Sequence, residues 1–231
     1  MKKTHLALLA LSVLASSPVM AQDLDIELTN LTSGIHFTPV LAAAHDTNTR
    51  LFMAGSSASR NLQIMAEGGD ISGLSSDVQA ASGDVVENPV GGLLAPGASV
   101  NFNMMTNNSN TQLSLTAMLL PTNDGFVGID SLDLPTVAGT YTYFLNAYDA
   151  GTEANNEVIN GDGGTAGVLG IPADPGGNAG TGGIGLTTEE SNITVHIHRG
   201  NLGDNGSGAS DLDNTVHRWL NPVAKLVITV N

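Results

Sequence analysis

The chain has 231 residues, no cysteine and a formal net charge of −15, from 22 acidic and 7 basic side chains. So acidic a surface repels nucleic acid and anionic lipid and attracts cations. Without disulfides, stability has to come from packing, helped by any bound metal.

The N-terminus reads Met1-Lys2-Lys3, an apolar run from Leu6 to Leu14, then Ser16-Ser17-Pro18-Val19-Met20-Ala21. A basic start, a short apolar stretch and a small-residue end form a secretory leader. The apolar run is too short for an anchored membrane helix, so no membrane-spanning segment is expected. Cleavage after Ala21 leaves residues 22–231 as the mature chain, long enough for one domain with a real core and short for two. The leader points to a bacterial protein that is periplasmic or secreted.

Leu24-Asp25-Ile26-Glu27-Leu28-Thr29 alternates apolar and polar residues, the pattern of a half-buried strand. Asn30 to Gly34 reads as a turn. Ile35 to Leu41 resumes an extended segment, with Pro39 at an edge or bend. Ser57 to Glu67 has helical spacing, with Leu62, Met65 and Ala66 on one face, Ser57 or Ser59 as cap and Gly68-Gly69 as stop. A second short helix is expected over Ile71 to Ala81. Strands follow at Ala98–Met104, Gln112–Leu120, Tyr141–Ala147, Ile193–His198 and Ala224–Val230. The strand Gln112–Leu120 turns continuously apolar at its end, which suggests a central position. Gly151 to Gly185 and Gly200 to Gly208 are glycine-rich and read as surface loops. The whole predicts an all-β protein, an antiparallel β-sandwich with one or two short helices and long glycine-rich loops.

Asp149-Ala150-Gly151-Thr152-Glu153 follows the aromatic strand directly. The glycine allows a sharp turn that brings both carboxylates into one loop. Like charges so placed repel unless a cation or proton lies between them. No Lys or Arg occurs between Arg60 and Arg199, so a hard divalent metal such as calcium is the natural partner. The other reading of the same spacing is that Asp149 only caps the turn through backbone N–H groups.

Several blocks then resemble the spondin domain family. These are His36-Phe37-Thr38-Pro39 with His45, Gly55-Ser56-Ser57-Ala58-Ser59, and Ala66-Glu67 with Gly69. Asp124-Gly125-Phe126-Val127-Gly128-Ile129-Asp130, with Asp133-Leu134, and Asp149 to Glu153 complete the match across roughly the whole mature chain. The resemblance implies a sandwich similar to C2 modules, with calcium among the loops at one end. It also implies a role like that of animal matrix and adhesion proteins, some of which bind integrins or microbial surface components. Two departures stand out: animal domains carry cysteines and tryptophan where Phe126 and Tyr148 stand here, and Gly161 to Gly183 replaces a proline-rich segment. On this basis the expected calcium ligands are Asp149 and Glu153, joined by Asp130 and by Asp124 or Asp133 from a neighbouring loop.

Other residues fit blander roles. Glu67 suits a structural part at the helix end or a pair with Arg60. His196 and His198, two apart on a strand, share one face and would suit zinc or copper, or simply a solvent face beside acids. His36 and His45 suit structural hydrogen bonds, and Trp219 a core position. The acids and amides at Asp204, Asn205, Asp211, Asp213 and Asn214 resemble a weak cation loop but lack helix–loop–helix spacing. No Gly-x-Ser-x-Gly elbow is present. The sequence therefore predicts a non-enzymatic, exported calcium-binding module for adhesion or ligand binding at the cell envelope, its partner an unidentified extracellular protein or glycan. The alternatives are a metal-dependent envelope hydrolase and a structural matrix subunit.

Overall fold

The computed structural model describes residues 21–160, 164–176, 184–208 and 210–231. The expected leader, except Ala21, and parts of the glycine-rich segments lie outside the described residues. The chain runs β1 (Asp23–Asn30), β2 (His36–Phe37), β3 (Leu41–His45), α1 (Arg60–Gly68), α2 (Ser72–Ala80), β4 (Asp84–Glu87) and β5 (Ser99–Met105). It continues with β6 (Gln112–Leu120), β7 (Gly125–Asp133), β8 (Gly139–Asp149), β9 (His196–Ile197) and β10 (Ala224–Val230). All pairings between these strands are antiparallel, in the order β4-β3-β6-β7-β8-β10-β1-β5. The ends of that path meet again: the Asn107 backbone N–H donates to Asp84 Oδ2 at 2.7 Å, beside β5 and β4 respectively. The all-β antiparallel sandwich expected from the pattern is the observed fold.

The strand alternation decides the main core. Leu24, Ile26 and Leu28 of β1 point inward and oppose Val230, Ile228 and Leu226 of β10. On the other side they oppose Met104, Phe102 and Val100 of β5. The intervening Asp25 and Glu27 face out, where Lys225 on β10 pairs with Glu27 at 3.3 Å. Burying such side chains contributes about 25 cal/mol per Å² of apolar surface.

β3 and β6 are buried on both faces. Leu113, Leu115, Ala117 and Leu119 of β6 enter the main core, while Met118 and Leu120 enter a second core beneath the helices. This double burial is why the sequence of β6 reads as a continuous apolar run rather than an alternation. The second core takes Leu62, Met65 and Ala66 of α1 and Leu74 and Val78 of α2. Ser59 caps α1, accepting the Leu62 N–H at 3.1 Å, and Gly69 ends it in a left-handed conformation at φ 73°. Glu67 does not pair directly with Arg60; Gln63 stands between, taking Arg60 on one amide atom and donating to Glu67 with the other.

Pro39 falls where the extended segment breaks into β2 and β3, both on the same edge of β6. Thr38 patches the gap: its N–H donates to Met118 O, and its Oγ1 accepts the Met118 N–H, both at 3.0 Å. Trp219 is buried in the main core, as its expected core position requires. The stretch read as a loop between Asp124 and Asp133 is instead β7, a nine-residue strand. Its glycines and acids dilute the apolar pattern, but Phe126 and Val127 alternate between the two cores.

Phe126 is fully buried, edge-on to Phe52 with ring centroids 5.0 Å apart and stacked on Tyr148 at 5.6 Å. These rings support the β7–β8 pairing beneath the loop end. Phe126→Ala is expected to cost about 3–5 kcal/mol, from lost transfer energy and the cavity left behind. Equilibrium urea denaturation checks it.

Candidate functional site

β8 delivers Asp149 to the end of the sheet. Asp149 is its last residue and pairs in register with Gly125 on β7 and with His196 on β9. Asp124 precedes Gly125 directly, and its charge acts on that of Asp149. The turn after β8 depends on Gly151, at φ 70°, where a Cβ would lie 2.7 Å from the backbone of Ile193. The left-handed conformation with no room for a Cβ favours glycine.

Three carboxylates are buried here: Asp124 is 0 % exposed, Asp149 2 % and Glu153 1 %. Asp124 Oδ2 accepts the backbone N–H groups of Thr152 (2.8 Å) and Glu153 (3.1 Å) and the Thr152 hydroxyl (3.2 Å). Asp149 Oδ1 accepts the Gly151 N–H at 2.8 Å, and its Oδ2 accepts Asn155 Nδ2 at 2.7 Å. Asp124 Oδ1 and both Glu153 oxygens have no hydrogen-bond partner. No Lys or Arg among the described residues forms an ion pair with any of the three. The turn-cap reading of Asp149 is thus part of the geometry, but it leaves three acceptor oxygens on its neighbours unanswered.

Unanswered charge in a dry pocket raises the affinity for protons. Burial first, then the Asp149 charge, pushes the Asp124 carboxyl up to about 7, against the pull of the Thr152 and Glu153 N–H groups. Burial, then the charges of Glu67 and Asp124, pushes Glu153 up to about 9, with the Asn123 side chain opposing. Asp149 is also raised, by burial before all else, and Asn155, Gly151 and His196 hold part of that rise back.

The glycine-rich segment folds over this pocket. Glu153 forms a bridge with Thr187, and the Ala154 N–H donates to Leu186 O at 3.4 Å. Gly185 has no room for a side chain, because a Cβ there would collide with the Glu153 carboxylate. The same segment carries Glu190, whose Oε1 accepts Asn155 Nδ2 at 3.2 Å. His196 Nε2 lies 3.8 Å from Asp149 Oδ2. The ligand atoms of Asp149, Glu190 and His196 all lie within 4.8 Å of one another; Asp124, Asp149 and Glu153 form no such group among the described residues.

Two of the expected ligands stand elsewhere. Asp130 receives Arg50 in an ion pair at 2.6 Å, on the strand leading away from the loop end. Five residues of extended chain separate it from Gly125, about 17 Å at strand spacing. Asp133, further along β7, accepts from Gln112 at 2.9 Å. The two-residue period of His196 and His198 lapses because β9 stops at Ile197. His198 is buried against Trp219, its Nδ1 accepting the Gly200 N–H at 2.9 Å. Burial, with Arg199 and His196 nearby, lowers its pKa to about 3. His45 makes structural hydrogen bonds to Asp46 O and Ser114 Oγ, both at 2.8 Å.

Sequence reasoning missed Glu190, Asn155 and Glu157. Glu157 is buried at φ 57° and clamps the second glycine loop, accepting Leu202 N–H at 2.5 Å, Gly203 N–H at 2.8 Å and Ser210 Oγ at 2.8 Å. Asp211 answers in kind, its Oδ2 taking the N–H groups of Ile159 and Asn160 at 2.7 and 2.8 Å. Those acids serve backbone donors, with no signal in their spacing beyond their nearness to glycine.

Fold and site together define an antiparallel β-sandwich whose loop end encloses an acidic pocket. A family model described as Spondin_N matches residues 29–160, more than half the chain, and the protein belongs to that family. No curated protein matches it. The match includes Asp124, Asp149 and Glu153, and ends before Glu190 and His196.

Asp124 and Glu153 bind protons more tightly folded than unfolded, so the contribution of these two groups to stability is largest in acid and is lost as pH rises. Its stability is expected to fall as pH rises from about 4.5 to about 9 for Glu153, and from about 3.8 to about 7 for Asp124. Glu153→Gln, which cannot ionise, should flatten the upper part of that slope. Thermal unfolding in chelator across this range checks both; a slope unchanged by the substitution contradicts the assignment.

Proposed function

We propose that this protein is an exported, non-enzymatic binding module, a single domain over residues 22–231, whose loop end is organised by calcium. The observation that carries the reading is the set of three buried carboxylates with three unpartnered oxygens and, among the described residues, no Lys or Arg in an ion pair with them. Calcium takes six to eight oxygen ligands at flexible loops, and two or three carboxylates with backbone carbonyls and water suit it. Asp124, Asp149 and Glu153 would hold the ion, their side chains shifting to bring within one ion's reach oxygens that here form no such group. It would replace the protons that otherwise settle on Asp124 and Glu153, and so tie the β7 start, the β8 end and the overlying glycine segment together.

Membership of the Spondin_N family supports an extracellular role in adhesion or ligand binding. The twin-lysine leader supports export, and no helix among the described residues is long and apolar enough to cross a membrane. The partner would be an extracellular protein or glycan that meets the loop end. The acidic balance of the chain disfavours nucleic acid.

Calcium at saturating concentration should raise the melting temperature of the mature protein at neutral pH, because a ligand that binds only the folded state stabilises it. Asp149→Ala should abolish that rise, and Glu153→Gln should reduce it. An undiminished calcium shift in Asp149→Ala would sink the assignment. Differential scanning calorimetry with and without chelator makes the measurement.

A further inference from the structure

We propose that Asp149, Glu190 and His196 form a second kind of metal site, one for a divalent first-row transition ion. It shares Asp149 with the calcium pocket and does not rest on calcium binding there. Two of its three ligands, Glu190 and His196, lie beyond the part of the chain that matches the family, so the site is an addition of this chain's own C-terminal segment.

The imidazole is oriented for the task. His196 Nδ1 lies 2.7 Å from Thr194 O, and a carbonyl only accepts, so Nδ1 donates there. Its other ring nitrogen, Nε2, faces Asp149 Oδ2 at 3.8 Å. That spacing is beyond hydrogen-bond length, and an ion bonded to both atoms would span it. Donation of the other ring N–H to a backbone carbonyl is also how metal-binding histidines are commonly held.

The carboxylates are held just as firmly. Asn155 Nδ2 reaches both Asp149 Oδ2 (2.7 Å) and Glu190 Oε1 (3.2 Å), and the Asn155 backbone N–H reaches Glu190 Oε1 at 3.3 Å. One amide therefore fixes two of the three ligands. The 3.8 Å between His196 Nε2 and Asp149 Oδ2 suits an ion with bonds of about 2.0–2.2 Å to nitrogen and oxygen, which together span up to about 4.4 Å.

A separate observation points to a cation on this side of the sheet. Asp124 is fully buried, adjoins Asp149 across the β7–β8 ladder, and keeps Oδ1 without a partner. Its charge and that of Asp149 act on each other, so positive charge at Asp149 serves both.

The donor set selects the metal. Imidazole nitrogen with two carboxylates suits zinc, cobalt or manganese, whereas calcium and magnesium prefer oxygen alone. Three protein ligands leave open positions for water or for a group on a binding partner. The half-exposed His196 side chain, at 27 % exposure, leaves the ion reachable from solvent.

The test is zinc titration of the metal-stripped full chain by calorimetry, with calcium saturating throughout, alongside cobalt titration followed by visible absorption. One zinc equivalent should bind. His196→Ala and Glu190→Gln should each weaken zinc about tenfold or more, the scale on which even outer-shell partners act. Cobalt should develop intensified visible bands that His196→Ala removes. Both substitutions lie at partly exposed positions, and an unchanged calcium-induced melting shift in His196→Ala shows that the fold and the neighbouring pocket are intact. Wild-type zinc affinity in His196→Ala, or cobalt bands indifferent to that substitution, would overturn the proposal. Loss of the calcium response in Glu153→Gln with zinc affinity retained supports two chemically separate sites.

Discussion

β8 is the strand on which both the sandwich and its loop end depend. Over Gly139 to Leu145 it pairs with β10, and over Asn146 to Asp149 with β7. One continuous strand thus belongs first to the sheet of β1, β5 and β10 and then to that of β3, β6 and β7. Leu145 and Ala147 hold it to the shared core at the crossing, while Tyr148 turns to the other face and joins Phe52 and Phe126. Because backbone pairing fixes position to within a fraction of a residue, Asp149 has only one place to be. It stands opposite Gly125 and His196, with Asp124 just before Gly125.

That placement gathers negative charge where water is excluded, and the molecule answers the charge unevenly. Asp149 receives a backbone N–H and a side-chain amide, and Asp124 receives three donors on one oxygen but none on the other. Glu153 receives none on either oxygen. Glu157, by contrast, receives three donors from the second glycine loop. The contrast separates acids that shape loops from acids left open to a cation or a proton. An unpaired buried charge is costly, and such groups cluster where proteins bind something.

The glycine-rich segment acquires a purpose from the same pocket. Its described residues pass over Glu153 with Gly185 pressed against the carboxylate, and the segment brings Glu190 to Asn155. Composition alone marks this stretch as unable to build a core. Its described residues are held by bridges to the acidic loop and by Ile171, which packs with Ile159 and Leu212.

Much of the sandwich was legible along the chain. Strict alternation in β1 and β10 reports one buried face, and the unbroken apolar run of β6 reports two, because side-chain period in a strand is fixed by backbone geometry. The helix of Leu62, Met65 and Ala66, with its serine cap and glycine stop, followed from equally local rules. The pairing of Asp149 with Glu153 around Gly151 was also visible, since it needs only five consecutive residues. β7 was not legible, because its glycines and acids mask an alternation that packing against Phe52 and the main core enforces. Nor was the fate of Asp130, whose distance from Asp149 is set by its place along β7 and whose partner Arg50 lies 80 residues away. Glu190 and His196 reach Asp149 only through the return of a segment some forty residues downstream. Local sequence therefore determined which segments become strands and where two acids share a turn. Tertiary structure alone decided which distant side chains complete the site, because cross-strand register and loop return carry no signature in residue spacing.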